Sequence, residues 1–205
     1  MARNLSDQSE TESSIVMAYQ GKWLFHVLPA VFALCFLLHA CSVQRTGLRS
    51  CTYDHRIEGV ASFSGCLGRD SNGRLYIQPE NIASLKFGPH GLSPVWGEGE
   101  GWMYVNRQGY AVITGVAAMD NWADHFHEGL VRMKRGNKWG FANREGKEVI
   151  PCRFDGALNF KNGVARVCTG CRAECDTPDC EHRHFSGGDW TCINTKGEEV
   201  KNCGR

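Results

Sequence analysis

The stretch Lys138–Cys168, KWGFANREGKEVIPCRFDGALNFKNGVARVC, decides how the rest of the chain is read. Trp139–Asn143 reads as a strand, Arg144-Glu145-Gly146 as a turn, and Lys147–Ile150 as a second strand closed by Pro151. After a short irregular stretch, Asn162-Gly163 turns the chain into a third strand, Val164–Cys168. Asn-Gly is the strongest two-residue turn signal because both positions tolerate positive φ.

The same template recurs on both sides. Upstream, WMYVNRQGYAVI at Trp102–Ile113 matches the first hairpin, and FHEGLVRM at Phe126–Met133 matches FKNGVARV at Phe160–Val167. Downstream, WTCINTKGEEV begins at Trp190, and Trp190 to Cys203 repeats the spacing of Trp139 to Cys152. A worn copy opens the series, with SNGRLYI at Ser71–Ile77 and FGPHGLSPV at Phe87–Val95. The turn glycines Gly73, Gly109 and Gly146 are 36 and 37 residues apart, whereas Gly146 and Gly197 are 51 apart, so the third junction carries an insert. One such unit cannot bury its own apolar face, and neighbours must stack. The expected fold is therefore all-β, an array of about three to four three-strand repeats of ~35 residues over 71–205, with a cysteine-rich loop insert at 168–189. Trp102, Trp139 and Trp190 are expected to form an internal ladder with Phe126 and Phe160, because burial of such rings dominates small cores. Asp155 and its counterpart Asp120 read as turn-capping side chains.

The central unit, with Trp139-Gly140-Phe141, Gly146, Val149-Ile150-Pro151, Phe154-Asp155 and Phe160 with Gly163 and Val164, resembles the WG-repeat family, named for its Trp-Gly pair. The flanking units depart from the pattern: Met103 and Thr191 replace the glycine of the pair, and no Ile-Pro follows their turns. The resemblance implies a bacterial β-rich repeat protein, often exported, of a family for which no general activity is established. It supplies no catalytic residues.

Lys and Arg number 23 against 22 acidic residues, a net charge of +1 that gives no field for nucleic acid. The nearest basic run, Lys134-Arg135 with Lys138, reads as a solvated turn between strands. At the N-terminus, Trp23–Ala40 (WLFHVLPAVFALCFLLHA) is almost uninterrupted apolar sequence ending at Leu38-His39-Ala40-Cys41. A basic residue, an apolar run and a small residue before the cut describe a secretory signal over 1–40. With cysteine after the cut, the pattern resembles the lipobox of bacterial lipoproteins, which implies an acyl anchor on Cys41, and Ser42 resembles those passed on to the outer membrane. MARNLSDQSETESSIV is acidic and polar, unlike a signal's lead, whereas Met17 begins MAYQGKWLF with Lys22, so Met17 is read as the start. The rival reading of the run is an uncleaved membrane anchor. Residues 41–70 then form a lipid-anchored lead to the repeats.

Eleven cysteines are many for a reducing compartment. Setting aside Cys35 and Cys41, nine remain: Cys51, Cys66, Cys152, Cys168, Cys171, Cys175, Cys180, Cys192 and Cys203. Export favours disulfides among them; Cys51 with Cys66 is a sensible local pair, and Cys152 and Cys203 occupy equivalent repeat positions. The alternative is zinc held by Cys168, Cys171, Cys175 and Cys180 with His182 and His184, a donor set more than sufficient for four-coordination. A thioredoxin-type role for Cys168-Thr169-Gly170-Cys171 is disfavoured because Cys168 ends a strand rather than opening a helix. GEGEG at Gly97–Gly101 lacks phosphate-loop spacing and reads as a flexible connection, and Asp124-His125-Phe126-His127-Glu128 reads as an exposed turn with Phe126 buried.

No nucleophile elbow, P-loop or His-Glu-x-x-His is present, and no enzymatic role is expected. The expectation is an envelope lipoprotein, facing the periplasm, whose repeat domain binds another protein or envelope component without a cofactor. The alternatives are a zinc-type metal-binding lipoprotein and a periplasmic immunity or inhibitor lipoprotein.

Overall fold

Four Asx-x-x-Gly turns set the register of the whole domain in the computed structural model, which describes residues 47–201 and 203. Asp70, Asn106, Asn143 and Asn194 each place a side-chain oxygen on the backbone N–H four residues ahead, at 2.9–3.0 Å. Their carbonyls accept from Gly73, Gly109, Gly146 and Gly197, all at positive φ. The side chain thus mimics a backbone turn, and the chain reverses into the second strand of each hairpin. These residues, and not Asp155 or Asp120, are the turn caps. Asp155 instead bonds the Gly170 N–H at 2.8 Å and Lys138 Nζ at 2.6 Å, and Asp120 is exposed and holds the ring of His182.

The strands are β1 (Arg49–His55), β2 (Gly59–Arg69), β3 (Leu75–Ile77), β4 (Leu92–Gly97), β5 (Gly101–Asn106), β6 (Ala111–Thr114), β7 (Leu130–Arg135) and β8 (Lys138–Asn143). They continue as β9 (Glu148–Phe154), β10 (Gly156–Ala157), β11 (Val164–Thr169), β12 (Arg172–Cys175), β13 (Arg183–Ser186) and β14 (Asp189–Asn194). One single-turn helix, α1 (Pro79–Ile82), interrupts them. All pairings are antiparallel, in sheets ordered β3-β2-β1-β4-β5-β6, β7-β8-β9, β10-β11-β14 and β12-β13. Among the described residues no helix is long and apolar enough to cross a membrane. The signal over 1–40, the Met17 start, Cys35 and Cys41 lie outside the described residues.

Two sequence readings change. First, the sheet begins at Arg49: β1 and β2 flank β4 and β3, and Cys51, Tyr53, Cys66 and Leu67 are fully buried among Leu75, Ile77 and Val95. The stretch 49–69 is part of the β domain rather than a lead to it. Short repeats cannot close their own edges, and β1–β2 cover one. Second, Pro151 does not end its strand. β9 is an edge strand that pairs Ile150 with Phe141 and Phe154 with Trp139, so three residues bulge opposite Gly140. Proline is tolerated there because no ladder N–H is required.

The bulge explains the Trp-Gly pair. A Cβ on Gly140 would sit 2.7 Å from the Cys152 nitrogen and overlap the Ile150 carbonyl oxygen. Gly140 is needed for close backbone approach. Where the flanking units carry Met103 or Thr191 instead, the Ile-Pro that forms the bulge is missing as well.

Stacking runs from turn to strand. The Gly109 amide carbonyl accepts from Ile77 N–H at 2.8 Å, and a Cβ on Gly109 would meet Ile82 and the Ile77 backbone. Gly146 lies against the Val112 carbonyl, and Gly197 against Ile150. Each turn therefore seats on the second strand of the preceding unit. The expected ring ladder is broken into separate stacks. Trp139 and Phe160 belong to one core with Phe141, Ile150 and Val167, while Trp102 packs on Trp122 at 4.5 Å in another core and Phe126 on Tyr104 at 4.9 Å. Trp190 is linked to the first core through Phe185, whose centroid is 6.1 Å from it and 5.2 Å from Trp139.

Gly146 carries both positive φ and a backbone contact, whereas Gly163 has the same φ with nothing within 4 Å of an added Cβ. Gly163→Ala is expected to cost about 1–2 kcal/mol, the ordinary left-handed penalty. Gly146→Ala adds overpacking, about 1–3 kcal/mol more. Equal midpoints for the two variants in urea denaturation would refute the seating of this turn.

Candidate functional site

The cysteine insert is a β-hairpin and not an irregular loop. It stands where the β7–β8 connection has only Gly136-Asn137: β11 pairs with β14 as β7 pairs with β8, and β12 and β13 grow out of the turn between them. Its residues are mostly exposed, and its one apolar anchor is Phe185. That ring lies over Gly156, where a Cβ would come within 2.6 Å of it, and it inserts between Trp139 and Trp190.

Eight of the nine cysteines are paired: Cys51–Cys66, Cys168–Cys171, Cys175–Cys180 and Cys192–Cys203. Cys168–Cys171 closes the root of the hairpin, Cys175–Cys180 its tip, and Cys192–Cys203 fastens the C-terminal tail to β14. The first bridge, spanning 15 residues, contributes about 3 kcal/mol by loop closure, and the short ones nearer 2. The local pair read for Cys51 and Cys66 is present. Cys152 and Cys203, equivalent in sequence, do not meet: Cys203 pairs within its own unit, and Cys152 is the free cysteine among the described residues. Burial first, and then the charge of Glu148, pushes its thiol up from its ordinary value.

These bridges use the sulfurs of the zinc reading. Cys168, Cys171, Cys175 and Cys180 are all in disulfides, His182 bonds Asp120 at 2.9 Å, and His184 bonds Asp176. A disulfide sulfur is not a thiolate ligand, so in the oxidised chain this cluster is a set of staples. Among the described residues no group of three or more metal-ligating side chains converges.

The Asp124–Glu128 segment also differs from its expectation. Asp124 is buried, and both carboxylate oxygens face Arg132, which donates from Nε and Nη2 at 2.8 Å each. The same guanidinium donates to the Ala157 carbonyl at 2.9 Å, and Tyr104 donates its hydroxyl to the Asp124 carbonyl at 2.8 Å. Burial, with Asp124 a lesser cause, pushes the Tyr104 hydroxyl up to about 12. Phe126 is half-buried, and His125 and His127 are exposed. GEGEG is an ordered hairpin turn whose Glu100 holds Arg49 and Arg69, each at 2.6 Å.

Phe126 and Tyr104 form part of a groove of about 530 Å³ that the sequence did not disclose. Leu92 and Pro94 of β4, Tyr104 of β5, and Trp122 and Phe126 before β7 make its apolar wall. Lys86, His90, His125 and Arg144 border it, with Asp54 on the β1 side. These residues come from three units and share no motif, so only their turn and strand positions could have hinted at it. A concave surface of this size with a few convergent polar groups suits a bound ligand.

Peptide mapping without reduction is expected to recover the four pairs above, with Cys152 the one cysteine from Cys51 to Cys203 that alkylates after denaturation. Any bridge from Cys152 would overturn the map. His182 provides a second test. The hydrogen bond that His182 Nδ1–H donates to Asp120, and then the charge of Asp120, raise the imidazole above its ordinary value. A raised folded value means that this tether is fully present below about pH 6.5 and is lost as pH rises through the raised value. NMR titration is expected to place His182 above an ordinary imidazole, with Asp120→Asn returning it; an unchanged value in that variant excludes the tether.

No curated protein and no solved structure matches the chain. Residues 121–139 and 139–170 match the family model described as the WG containing repeat, the span that holds Trp139-Gly140, the bulge at Pro151 and both flanking turns. The chain carries WG containing repeats over residues 121–170.

Proposed function

We propose that this chain is a non-enzymatic bacterial envelope lipoprotein, held in the membrane through an acyl group on Cys41, whose repeat domain serves as a binding module. The observation that carries the reading is the pairing of eight cysteines downstream of an apolar run that ends at Leu38-His39-Ala40-Cys41. Short-range disulfides persist in oxidising compartments and are rare in the cytosol. A secretory signal provides the route to such a compartment. The groove lined by Trp122, Phe126 and Tyr104 supports the binding role, since repeat arrays present extended surfaces to partners. The metal-binding alternative loses its donors to the bridges, and the immunity or inhibitor alternative has no observation in its favour.

The test is made on the full chain produced in a bacterial envelope. Intact mass is expected to fit a chain that begins at a diacylated Cys41, and Cys41→Ser is expected to accumulate with its N-terminal run attached. A wild-type mass that retains residues 1–40, or processing indifferent to Cys41→Ser, would sink the lipoprotein reading. For the binding role, a photo-crosslinker at position 90 in whole cells is expected to give a discrete adduct that one at position 57, on the β1–β2 turn, does not. Identical adduct patterns from the two positions count against the groove as the binding face.

A further inference from the structure

The groove is asymmetric in charge. Asp54 is the one carboxylate among its lining residues, and its oxygen already holds Lys86 Nζ at 2.7 Å, so these two offset each other. Arg144 is different. It makes none of the ion pairs found among the described residues, and its Nε is buried with no hydrogen-bond partner. Its guanidinium carbon stands 5.4 Å from the centroid of Phe126, in a cation–π arrangement that orients the group without satisfying its donors.

Part of that geometry belongs to the repeat. Arg107, the equivalent residue of the preceding turn, stands 5.1 Å over Phe87 in the same way. Arg107, however, is exposed, and its Nε is not among the buried atoms that lack a partner. Among the described residues a buried side-chain nitrogen without a partner is found at Arg144 Nε alone, and Arg144 lines the groove with Trp122, Phe126 and Pro94. Arg144 as a whole is half-buried and only its Nε is shielded, so its guanidinium is an unpaired charge at the groove, and a carboxylate matches its fork in two parallel hydrogen bonds. A cation would meet Arg144 and Lys86, a neutral apolar ligand would leave the Arg144 guanidinium without an anion, and a bare inorganic anion would leave the wall unused.

We infer that the groove is a binding site for a carboxylate borne on an aromatic or branched apolar body, with the carboxylate on Arg144 and the body against Trp122, Phe126 and Pro94. The site names the ligand chemistry of the binding module proposed above and rests on that reading. The carboxylate has two natural sources, a free small acid or the C-terminal residue of a peptide, and a volume of about 530 Å³ holds either a small acid or the last residue or two of a chain.

The experiment uses the full lipidated chain in lipid nanodiscs, with arginine Nε–Hε and tryptophan indole signals followed by NMR. The probes are 3-phenylpropionate, its neutral amide, and an N-acetylated dipeptide ending in a free phenylalanine carboxylate. The acid is expected to shift the Arg144 Nε–Hε and Trp122 indole signals saturably and to bind at least about tenfold more tightly than the amide. Tighter binding of the dipeptide than of the small acid identifies the peptide terminus as the source, and the reverse identifies a free acid. Arg144→Gln is expected to reduce the acid to the level of the amide, Arg144→Lys to keep part of the difference, and Arg107→Gln to change neither. Equal affinity of acid and amide for the unaltered chain overturns the site and requires no variant to fold. So does an acid preference weakened equally by Arg107→Gln. Absence of probe binding on a chain that is acylated and fully bridged removes this site alone, whereas probe binding by a chain that retains residues 1–40 removes the lipoprotein reading alone.

Discussion

The structure depends on one recurring contact, a turn glycine pressed against the second strand of the unit before it. At Gly146 an added Cβ would overlap the Val112 carbonyl oxygen, and at Gly109 it would collide with Ile82. Because the Asx side chain fixes the turn from within, the glycine arrives at its seat already at positive φ. Repeat proteins are stabilised by such nearest-neighbour interfaces more than by any one unit. Here the seating sets the rise from unit to unit and so determines which side chains of different units share a core.

A polar network crosses the same boundary. Arg132 on β7 reaches Asp124 in the segment before it and the Ala157 carbonyl of β10, and Tyr104 of β5 closes on the Asp124 backbone. Buried ion pairs gain little net stability, since desolvation offsets attraction, but removing one partner leaves an uncompensated charge. The network's effect is therefore on arrangement: it permits one relative placement of three consecutive segments. That placement leaves Phe126 half-buried, and it lines the groove together with Trp122.

The hairpin β12–β13 shows the opposite strategy. It has Phe185 as its single apolar anchor, too little buried area for independent stability, and it is held by one bridge at its root, one at its tip and the exposed His182–Asp120 contact. A cysteine cluster that in a reducing compartment would invite a metal instead stiffens an added hairpin. Cys152 stays outside this scheme because β9 bulges at Pro151 and turns it toward the Met133 carbonyl, at 3.7 Å, away from Cys203.

The sequence by itself determined the local chemistry: the hairpins, the turn glycines, the repeat spacing, the site of the insert and the Cys51–Cys66 pair. All of these rest on short-range constraints, φ at a turn or the closure of a small loop, and residues near in sequence carry them. The Asx caps were missed, although Asp70, Asn106, Asn143 and Asn194 recur at the spacing of their glycines, because Asp155 and Asp120 read as the capping side chains. Tertiary structure decided the rest. That Asp124 is buried with Arg132, that β1 and β2 complete a six-stranded sheet, that the tryptophans fall into separate stacks, and that Arg144 faces a groove without an acceptor all depend on packing between units. No periodicity encodes those contacts, because each joins residues from different repeats whose sequences need agree only in volume and charge.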